Sequence, residues 1–214
     1  MCIVYNANWP LLYERVLKNR ITGLENKFIA PAYLGDDIDI TTESNDSESY
    51  TCEARVNGKL VNSAQVFPSR PIASLLSEGV AGIDFDELEV QVYSDELNRD
   101  DTLSSVSFLK YCERARTEKI GGPLSIQRGI EEGVAVVVAK ISLDLTDERI
   151  SDGSRLIVRS RVKMGRRKIA TFRHELYAPD SNQSIAACDC KCLAMGAVGT
   201  ENEGVSCDFL NWMI

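Results

Sequence analysis

A polar loop in the second half of the chain leads directly into a predicted helix. The loop is Asp95-Glu-Leu-Asn-Arg-Asp-Asp-Thr102, and the helix is Val106 to Ile120. The first turn of a helix offers free backbone N–H groups and a positive dipole, which suit a developing oxyanion. Asn98 could orient water or bind a carbonyl there, but a side-chain amide cannot act as a general base at neutral pH. Chemistry at this loop is therefore predicted to be more electrostatic than base-driven.

Two arginines on the predicted helix are further candidates for chemistry. Arg116 could stabilise an oxyanion or hold a carboxylate of a ligand. The alternative is that Arg114 and Arg116 are solvated or paired with Glu113 and Glu118. Both interpretations remain open. The single histidine, His174, lies in the middle of a predicted strand, where a structural or surface role is favoured over catalysis.

A predicted hairpin, Arg155 to Arg173, holds eight basic residues in a chain whose formal net charge is -8. Arg155, Arg159, Arg161 and Lys163 share one parity of the first strand, opposite Leu156, Val158 and Val162. Because successive side chains of a strand alternate between faces, the basic side is predicted to face solvent and the apolar side the core. The patch either binds an anionic group or is a solvated strand.

The seven cysteines include the run Cys188-Asp-Cys-Lys-Cys192. In an extended strand this spacing places all three thiols on one face of a sheet. Zinc sites more often combine C-x2-C pairs at turns, so buried thiols that pack as small hydrophobes are favoured over a metal site. We also expect no disulfide framework, because the chain is long and shows no secretory signal.

Composition excludes several classes of function. The net charge of -8 argues against nucleic-acid binding, which needs a basic surface. No run of about 18 apolar residues is present, so no transmembrane helix is expected. The N-terminal segment lacks the features of a signal peptide, and a cytoplasmic protein is the default expectation.

An internal repeat organises the secondary structure. Val4 to Arg15 matches Leu103 to Arg114 at a constant offset of 99, so that Glu14 falls on Glu113 and Trp9 on Phe108. Each predicted helix, Pro10 to Arg20 and Val106 to Ile120, is followed by strands and a hairpin. The predicted strands are Phe28 to Ser44 (broken at 33–36), the hairpin around Asn57-Gly58, Leu88 to Tyr93, Gly133 to Leu145, the hairpin Arg155 to Tyr177, and Ile185 to Met195.

Two similar α+β units are therefore predicted, residues 1–82 including a Pro-, Ser- and Gly-rich linker, and residues 83–214. The first unit begins at its loop, so it is expected to be incomplete at its N-terminus. Such a unit exposes a sheet edge, so we expect either a homodimer or a missing partner segment to cover it. The apolar end, from Phe209 onward, is expected to dock onto the rest of the chain.

The second half resembles a known family. The segment VQVYSDELNRDDTLSSVSFLKYCERARTEKI, residues 90–120, is similar to the start of hotdog thioesterases of the 4-hydroxybenzoyl-CoA thioesterase type, without a gap from Val92 to Glu118. GVAVVVAKISLDL resembles the second strand of that family, and VYNANWPLLYER in the first half resembles its loop-to-helix segment. The resemblance implies a double hotdog, two tandem units that each wrap an antiparallel sheet around a central helix.

The same resemblance suggests site residues. Asn98 stands where the common subfamily has its catalytic Asp, and Asp100-Asp101 replace glycines. A Glu-x-Asn loop followed by an Arg-x-Arg helix is similar to the thioesterases of enediyne pathways, which implies roles for Glu96, Asn98 and Arg116. Asn6 could face Asn98 across the two units, or it could cap a helix. Glu14 and Glu113 recur in both halves, which suggests structure rather than chemistry.

The resemblance implies an acyl thioesterase that acts on an acyl-CoA or acyl-carrier-protein thioester, in polyketide or fatty-acid-like biosynthesis. CoA or phosphopantetheine would belong to the substrate, with no separate cofactor, and Arg159, Arg161 and Lys163 would bind its phosphates or an acidic carrier protein. An Asp-x-Asn loop also occurs in double hotdog acyltransferase/decarboxylases, so an acyltransferase/decarboxylase or dehydratase is one alternative. A non-catalytic hotdog that binds acyl thioesters or acts as a scaffold is another.

Overall fold

A computed structural model describes residues 8–33, 35–46, 48–68, 86–165, 167–180 and 183–213. The first half contains α1 (Asn8–Leu17) and four strands, β1 (Gly23–Phe28), β2 (Ile38–Ser44), β3 (Tyr50–Val56) and β4 (Lys59–Phe67). The second half contains β5 (Asp86–Gln91), α2 (Ser105–Lys119), α3 (Pro123–Glu131), β6 (Val134–Leu145), β7 (Arg155–Gly165), β8 (Ile169–Ala178) and β9 (Gln183–Gly196). Most of the predicted linker and the position of Asn6 lie outside the described residues.

The nine strands form one antiparallel sheet in the order β2-β3-β4-β1-β6-β9-β8-β7-β5. The two halves meet where β1 pairs with β6, with Leu24 opposite Leu143. Helix α1 buries Trp9 and Tyr13 against the first half of the sheet, and α2 buries Phe108 and Cys112 against the second. The chain is therefore α+β with a large antiparallel sheet, as the sequence predicts.

Local turn chemistry matches the predicted hairpins. Asn57 and Gly58 have φ values of 49° and 77°, which is the left-handed pair that joins β3 to β4 in a two-residue turn. The β7–β8 hairpin pairs Gly165 with Ile169. The docking of the C-terminal end is also confirmed, because Phe209 and Met213 are buried.

One strand prediction in the first half was wrong at its start, and one helix in the second half was not predicted. The first strand is Gly23–Phe28 and does not continue beyond Phe28, because the N–H groups of Ile29 and Ala30 both donate to the Val61 carbonyl and the chain leaves the sheet. Helix α3 was missed: Gly121-Gly122 ends α2 as expected, but Pro123 occupies the first position of a new helix, where its missing N–H is tolerated.

The three thiols of Cys188, Cys190 and Cys192 are buried on the helix-facing side of β9, as the spacing predicts. Among the described residues, no group of His, Cys, Asp and Glu side chains has the arrangement of a metal site. None of the helices in the described parts of the chain is long and apolar enough to span a membrane.

Candidate functional site

A cleft of about 570 Å³ lies between the C-terminal end of α1 and the loop that precedes α2. Because α1 belongs to the first half and α2 to the second, the cleft exists only where the halves meet. Its lining is polar and carries four cationic side chains: Glu14, Arg15, Lys18, Asn19, Arg20, Asn98 and Arg99.

The loop before α2 is held by its own polar side chains. The Asn98 amide nitrogen donates to the Thr102 hydroxyl at 3.1 Å and to the Leu103 carbonyl at 3.2 Å. Asp100 accepts a 2.6 Å hydrogen bond from the same Thr102 hydroxyl. Ser104 then caps α2, because its hydroxyl accepts from the Ser107 N–H at 3.1 Å. These bonds fix the loop, so that Asn98 and the start of α2 border the cleft together.

Glu14 reaches across the boundary between the halves. Its Oε1 accepts a hydrogen bond from the hydroxyl of Ser105, the first residue of α2, at 3.2 Å, and another from the Ile21 N–H at 3.1 Å. Burial raises the pKa of the Glu14 carboxyl, and the two hydrogen bonds and Arg20 oppose that rise only in part. The arrangement places a carboxyl group of elevated pKa beside a helix N-terminus, where it can accept a proton near an anion-binding position.

Arg20 connects three segments around the cleft. Its guanidinium pairs with Asp147 at 2.6 Å, donates to the Thr146 carbonyl at 2.9 Å and lies 3.9 Å from Asp100. The segment after α1 is thereby bound to the loops that follow β6 and precede α2. Arg15 and Lys18 are exposed beside it, so the rim of the cleft is cationic.

Glu96 does not line the cleft. Its Oε2 accepts hydrogen bonds from the Tyr111 hydroxyl at 2.7 Å and from the Tyr93 N–H at 2.9 Å. Burial, followed by the hydrogen bond to Glu96, raises the Tyr111 pKa. In this geometry Glu96 anchors the loop onto α2, and a catalytic role for it stays a prediction.

Arg116 lies near the other end of α2. It follows Ser105 by eleven residues, which is about 16 Å along a helix axis. Its Nη1 donates to the Cys190 sulfur at 3.4 Å, and its guanidinium carbon lies 6.0 Å from the centre of the Phe172 ring. The structure thus does not bring Arg116 to Asn98 within the chain. The predicted catalytic role of Arg116 remains a prediction, as does that of Asn6, which lies outside the described residues.

The basic side of strand β7 faces away from the helices. Leu156 and Val158 are buried under α2, so the alternate residues Arg159, Arg161 and Lys163 project from the opposite face of the sheet. Arg159 pairs with Glu87 at 2.8 Å and stacks over the Tyr177 ring at 3.9 Å. The solvent-facing side of the strand is as predicted, but the structure does not place this patch on the cleft.

His174 is a fully buried side chain. Its Nδ1 lies 2.7 Å from the Ser160 hydroxyl of the neighbouring strand. Burial, with the nearby positive charges of Arg116 and Arg173, lowers its pKa to about 3. A neutral imidazole with so low a pKa is a poor proton acceptor at neutral pH, which agrees with the structural role favoured from the sequence.

Glu14 is a candidate that the sequence alone does not single out. Its recurrence at Glu113 suggests a structural role, because repetition at an offset of 99 is what two similar helices would show. The signal that distinguishes Glu14 is its position opposite Ser105, ninety-one residues away. No local pattern contains that contact.

Comparisons with known proteins give structural likeness only. No family model and no curated protein matches the sequence. A proposed oleoyl thioesterase from Lactobacillus plantarum superimposes with a TM-score of 0.61 at 6% identity, over 83% of this chain and 75% of that chain. The tesB protein of Mycobacterium avium subspecies paratuberculosis gives 0.58 at 12% identity, over 90% and 87%.

A shorter solved structure matches part of the chain. The 1,4-dihydroxy-2-naphthoyl-CoA thioesterase from Synechocystis gives a TM-score of 0.53 at 18% identity, over 60% of this chain and 92% of that chain. Since all three identities are low, these likenesses establish the fold and not the activity. The antiparallel sheet with its packed helices is consistent with the hotdog fold.

Proposed function

We propose that this protein is an acyl thioesterase with a double hotdog architecture, and that its active site is the cleft between α1 and α2. Residues 1–82 would form the first unit and residues 83–214 the second. The observation that carries the proposal is the Glu14 carboxyl beside Ser105 at the start of α2. The structural neighbours named thioesterases support the same class of reaction.

In the proposed thioester hydrolysis, each group at the cleft has a separate role. The free N–H groups in the first turn of α2 would bind the thioester carbonyl oxygen and stabilise the negative charge that develops on it. Glu14 would take a proton from water as the water oxygen attacks the carbonyl carbon. The carbon–sulfur bond then breaks, and the departing thiolate takes the proton from Glu14. Asn98, whose amide nitrogen is bonded within the loop, would orient the water through its carbonyl oxygen.

The cationic rim supports a phosphopantetheine-bearing substrate. Arg15, Lys18 and Arg99 surround the opening of the cleft, where phosphate groups of CoA or of a carrier-bound phosphopantetheine arm would lie. In this proposal CoA or phosphopantetheine belongs to the substrate and no separate cofactor is needed. The resemblance of the Glu96-x-Asn98 loop to enediyne thioesterases favours a substrate from polyketide or fatty-acid-like biosynthesis.

Release of free thiol from a panel of acyl-CoAs and acyl-carrier proteins, with mass spectrometry of the acyl product, tests the proposal. Free acid is the expected product, and Glu14→Gln should lower kcat/KM by about 100-fold or more, since 100-fold is the lower end of the usual range for loss of an acid–base group. Glu113→Gln, at the matching position of α2, is the control and should change the rate far less. Carbon dioxide release or a stable acyl-enzyme would instead indicate an acyltransferase/decarboxylase. Binding without turnover would indicate a non-catalytic acyl-binding protein.

A further inference from the structure

A row of lysines crosses the face of the sheet opposite α2. Strand pairing places Lys163 opposite Thr171, Thr171 opposite Lys191, Lys191 opposite Lys140, and Lys140 opposite Lys27. We call these four lysines the lysine row. It extends over five neighbouring strands, β7, β8, β9, β6 and β1, and only the β8 position is uncharged. At a strand spacing of about 4.8 Å, the row spans about 19 Å.

The lysine row faces solvent on the side of the sheet away from the helices. Cys190 and Cys192 are buried toward α2, so Lys191 between them projects from the other face of β9. Lys27 and Lys163 are exposed, as is Lys191. The α1–α2 cleft lies on the helix-bearing face, so a ligand bound to the lysine row leaves the cleft open.

Most of the positive charge in the row is uncompensated. Lys140 pairs with Glu25 at 3.4 Å, but Lys27, Lys163 and Lys191 have no carboxylate of the described residues within ion-pair distance. Like charges directly opposite each other on neighbouring strands destabilise a sheet. Lys140 stands between Lys27 and Lys191, so the row costs the fold stability, and an anion lying over it reduces that cost.

An apolar strip borders the lysine row on the same face. Leu193 follows Lys191 by two residues on β9, and it pairs with Val137 of β6 on one side and with Ile169 of β8 on the other. Val137 is 40% exposed, and Ile169 and Leu193 are half-buried. A cationic band and an apolar band therefore lie side by side on one broad surface.

We propose that this face docks on an anionic lipid bilayer. The ammonium groups contact lipid phosphates and carboxylates, while the lysine stems and the apolar strip lie against the boundary between headgroups and acyl chains. A bilayer is broad enough to meet all four lysines at once, and its headgroups can rearrange beneath them. Neither band contains an aromatic side chain on which bases could stack, which argues against a single-stranded nucleic acid. Contact of this kind needs no membrane-spanning helix.

The local charge of this face determines the contact more than the net charge of -8 does. At physiological ionic strength, charges are screened beyond about 8 Å. Along β1 and β9, the nearest carboxylates on the same face are Glu25 and Asp189. Glu25 is paired with Lys140, and Asp189 lies 3.1 Å from Arg173. The charges left to act on a bilayer at this position are therefore those of the lysines.

Co-sedimentation of the full chain with lipid vesicles tests the proposal. Vesicles of two parts phosphatidylcholine and one part phosphatidylserine should bind the protein, and added NaCl should weaken the binding. Vesicles of phosphatidylcholine alone should bind far less. Lys191→Ser should lower the partition coefficient about fivefold, and the triple variant Lys27→Ser/Lys163→Ser/Lys191→Ser about 100-fold, at about fivefold for each lysine.

Thermal melts show whether a loss of binding comes from unfolding. Because removing Lys27 or Lys191 relieves repulsion at Lys140, the lysine variants should melt no lower than the wild type. Val137→Thr keeps the shape of the side chain but adds a hydroxyl to the apolar strip. It should weaken binding at low and high salt by the same factor.

Lys110→Ser is the matched control, because it removes one exposed lysine from α2 on the opposite side of the sheet. It should bind vesicles as the wild type does. Glu14→Gln should also bind them normally, so vesicle binding is tested independently of the proposed hydrolysis.

Two kinds of result would overturn the proposal. The first is equal binding to both vesicle compositions, or binding to neither. The second is a dimer in sedimentation velocity that Lys191→Ser dissociates, with no binding to phosphatidylserine vesicles. That result would assign this face to a second copy of the chain.

Discussion

The Oε1 atom of Glu14 on α1 accepts a 3.2 Å hydrogen bond from the hydroxyl of Ser105, the first residue of α2. This contact joins the end of one helix to the start of another, and the two helices belong to different halves of the chain. It brings a carboxyl group of raised pKa to the positive end of a helix dipole.

The pH dependence of hydrolysis should report the Glu14 carboxyl. Burial raises its pKa above the ordinary 4.5, so the base form is lost as the pH falls through this elevated value. The acidic limb of kcat/KM should therefore lie above pH 4.5. The sign for stability is opposite, because the ionised carboxyl is disfavoured in the folded state and stability falls as the pH rises through the folded pKa.

Glu14→Gln should consequently melt no lower than the wild type at neutral pH while losing activity. Rate profiles and thermal melts over pH 4 to 8 check both statements. A Gln variant that retains the acidic limb would show that another group supplies the base.

Asn98→Ala should lower kcat by about 100-fold, the scale expected when a reacting group is displaced by about 1 Å. The variant removes the hydrogen bonds to Thr102 and Leu103 that shape the loop before α2. Steady-state kinetics with one acyl-CoA measures the loss. Asn19→Ala, which alters the lining of the same cleft away from that loop, should stay within a fewfold of the wild type.

Arg116→Ala separates a catalytic from a structural role. The guanidinium contacts Cys190 and lies over Phe172, so its removal should lower the melting temperature through lost packing. A direct catalytic role, as the sequence resemblance implies, would instead lower kcat with the melting temperature unchanged. Parallel melts and kinetics on the purified variant distinguish the two results.

The charges that hold the phosphates can be found by substitution. Arg15→Ser and Lys18→Ser should each raise KM for acyl-CoA about threefold, the usual scale for an exposed charge contact. KM for a short thioester without phosphates should not change. Arg161→Ser and Lys163→Ser on β7 should have no effect, because they project from the opposite face of the sheet. A larger rise in KM for the Arg161 and Lys163 variants than for the Arg15 and Lys18 variants would indicate that the phosphates bind to β7, as the sequence suggested.

A buried hydrogen bond under α1 allows the stability of the first half to be tested. The Tyr13 hydroxyl donates to Asn62 Oδ1 at 2.5 Å, and both residues are fully buried. Tyr13→Phe leaves the amide oxygen without its donor and should cost about 1–3 kcal/mol. The double variant Tyr13→Phe/Asn62→Leu removes both polar groups and should lose less. Urea unfolding of the three proteins checks this order, and a larger loss in the double variant would contradict it.

The sequence alone determined the features that depend on neighbouring residues. Alternation placed the thiols of Cys188, Cys190 and Cys192 on a buried face and the basic residues of β7 on an exposed one. Asn57-Gly58 specified a tight turn, because both positions tolerate positive φ. The bounds of α2 followed from its polar loop and from Gly121-Gly122. The repeat at an offset of 99 predicted a second helix like the first.

Tertiary structure decided where these elements meet. The pairing of β1 with β6 brings the end of α1 to the start of α2, and only that pairing places Glu14 beside Ser105. The rotation of α2 on the sheet directs Arg116 toward Cys190, away from the loop of Asn98. Such contacts join residues far apart in the chain, and their energies arise from packing between whole elements. The spacing of residues within α1 or within α2 does not contain that information.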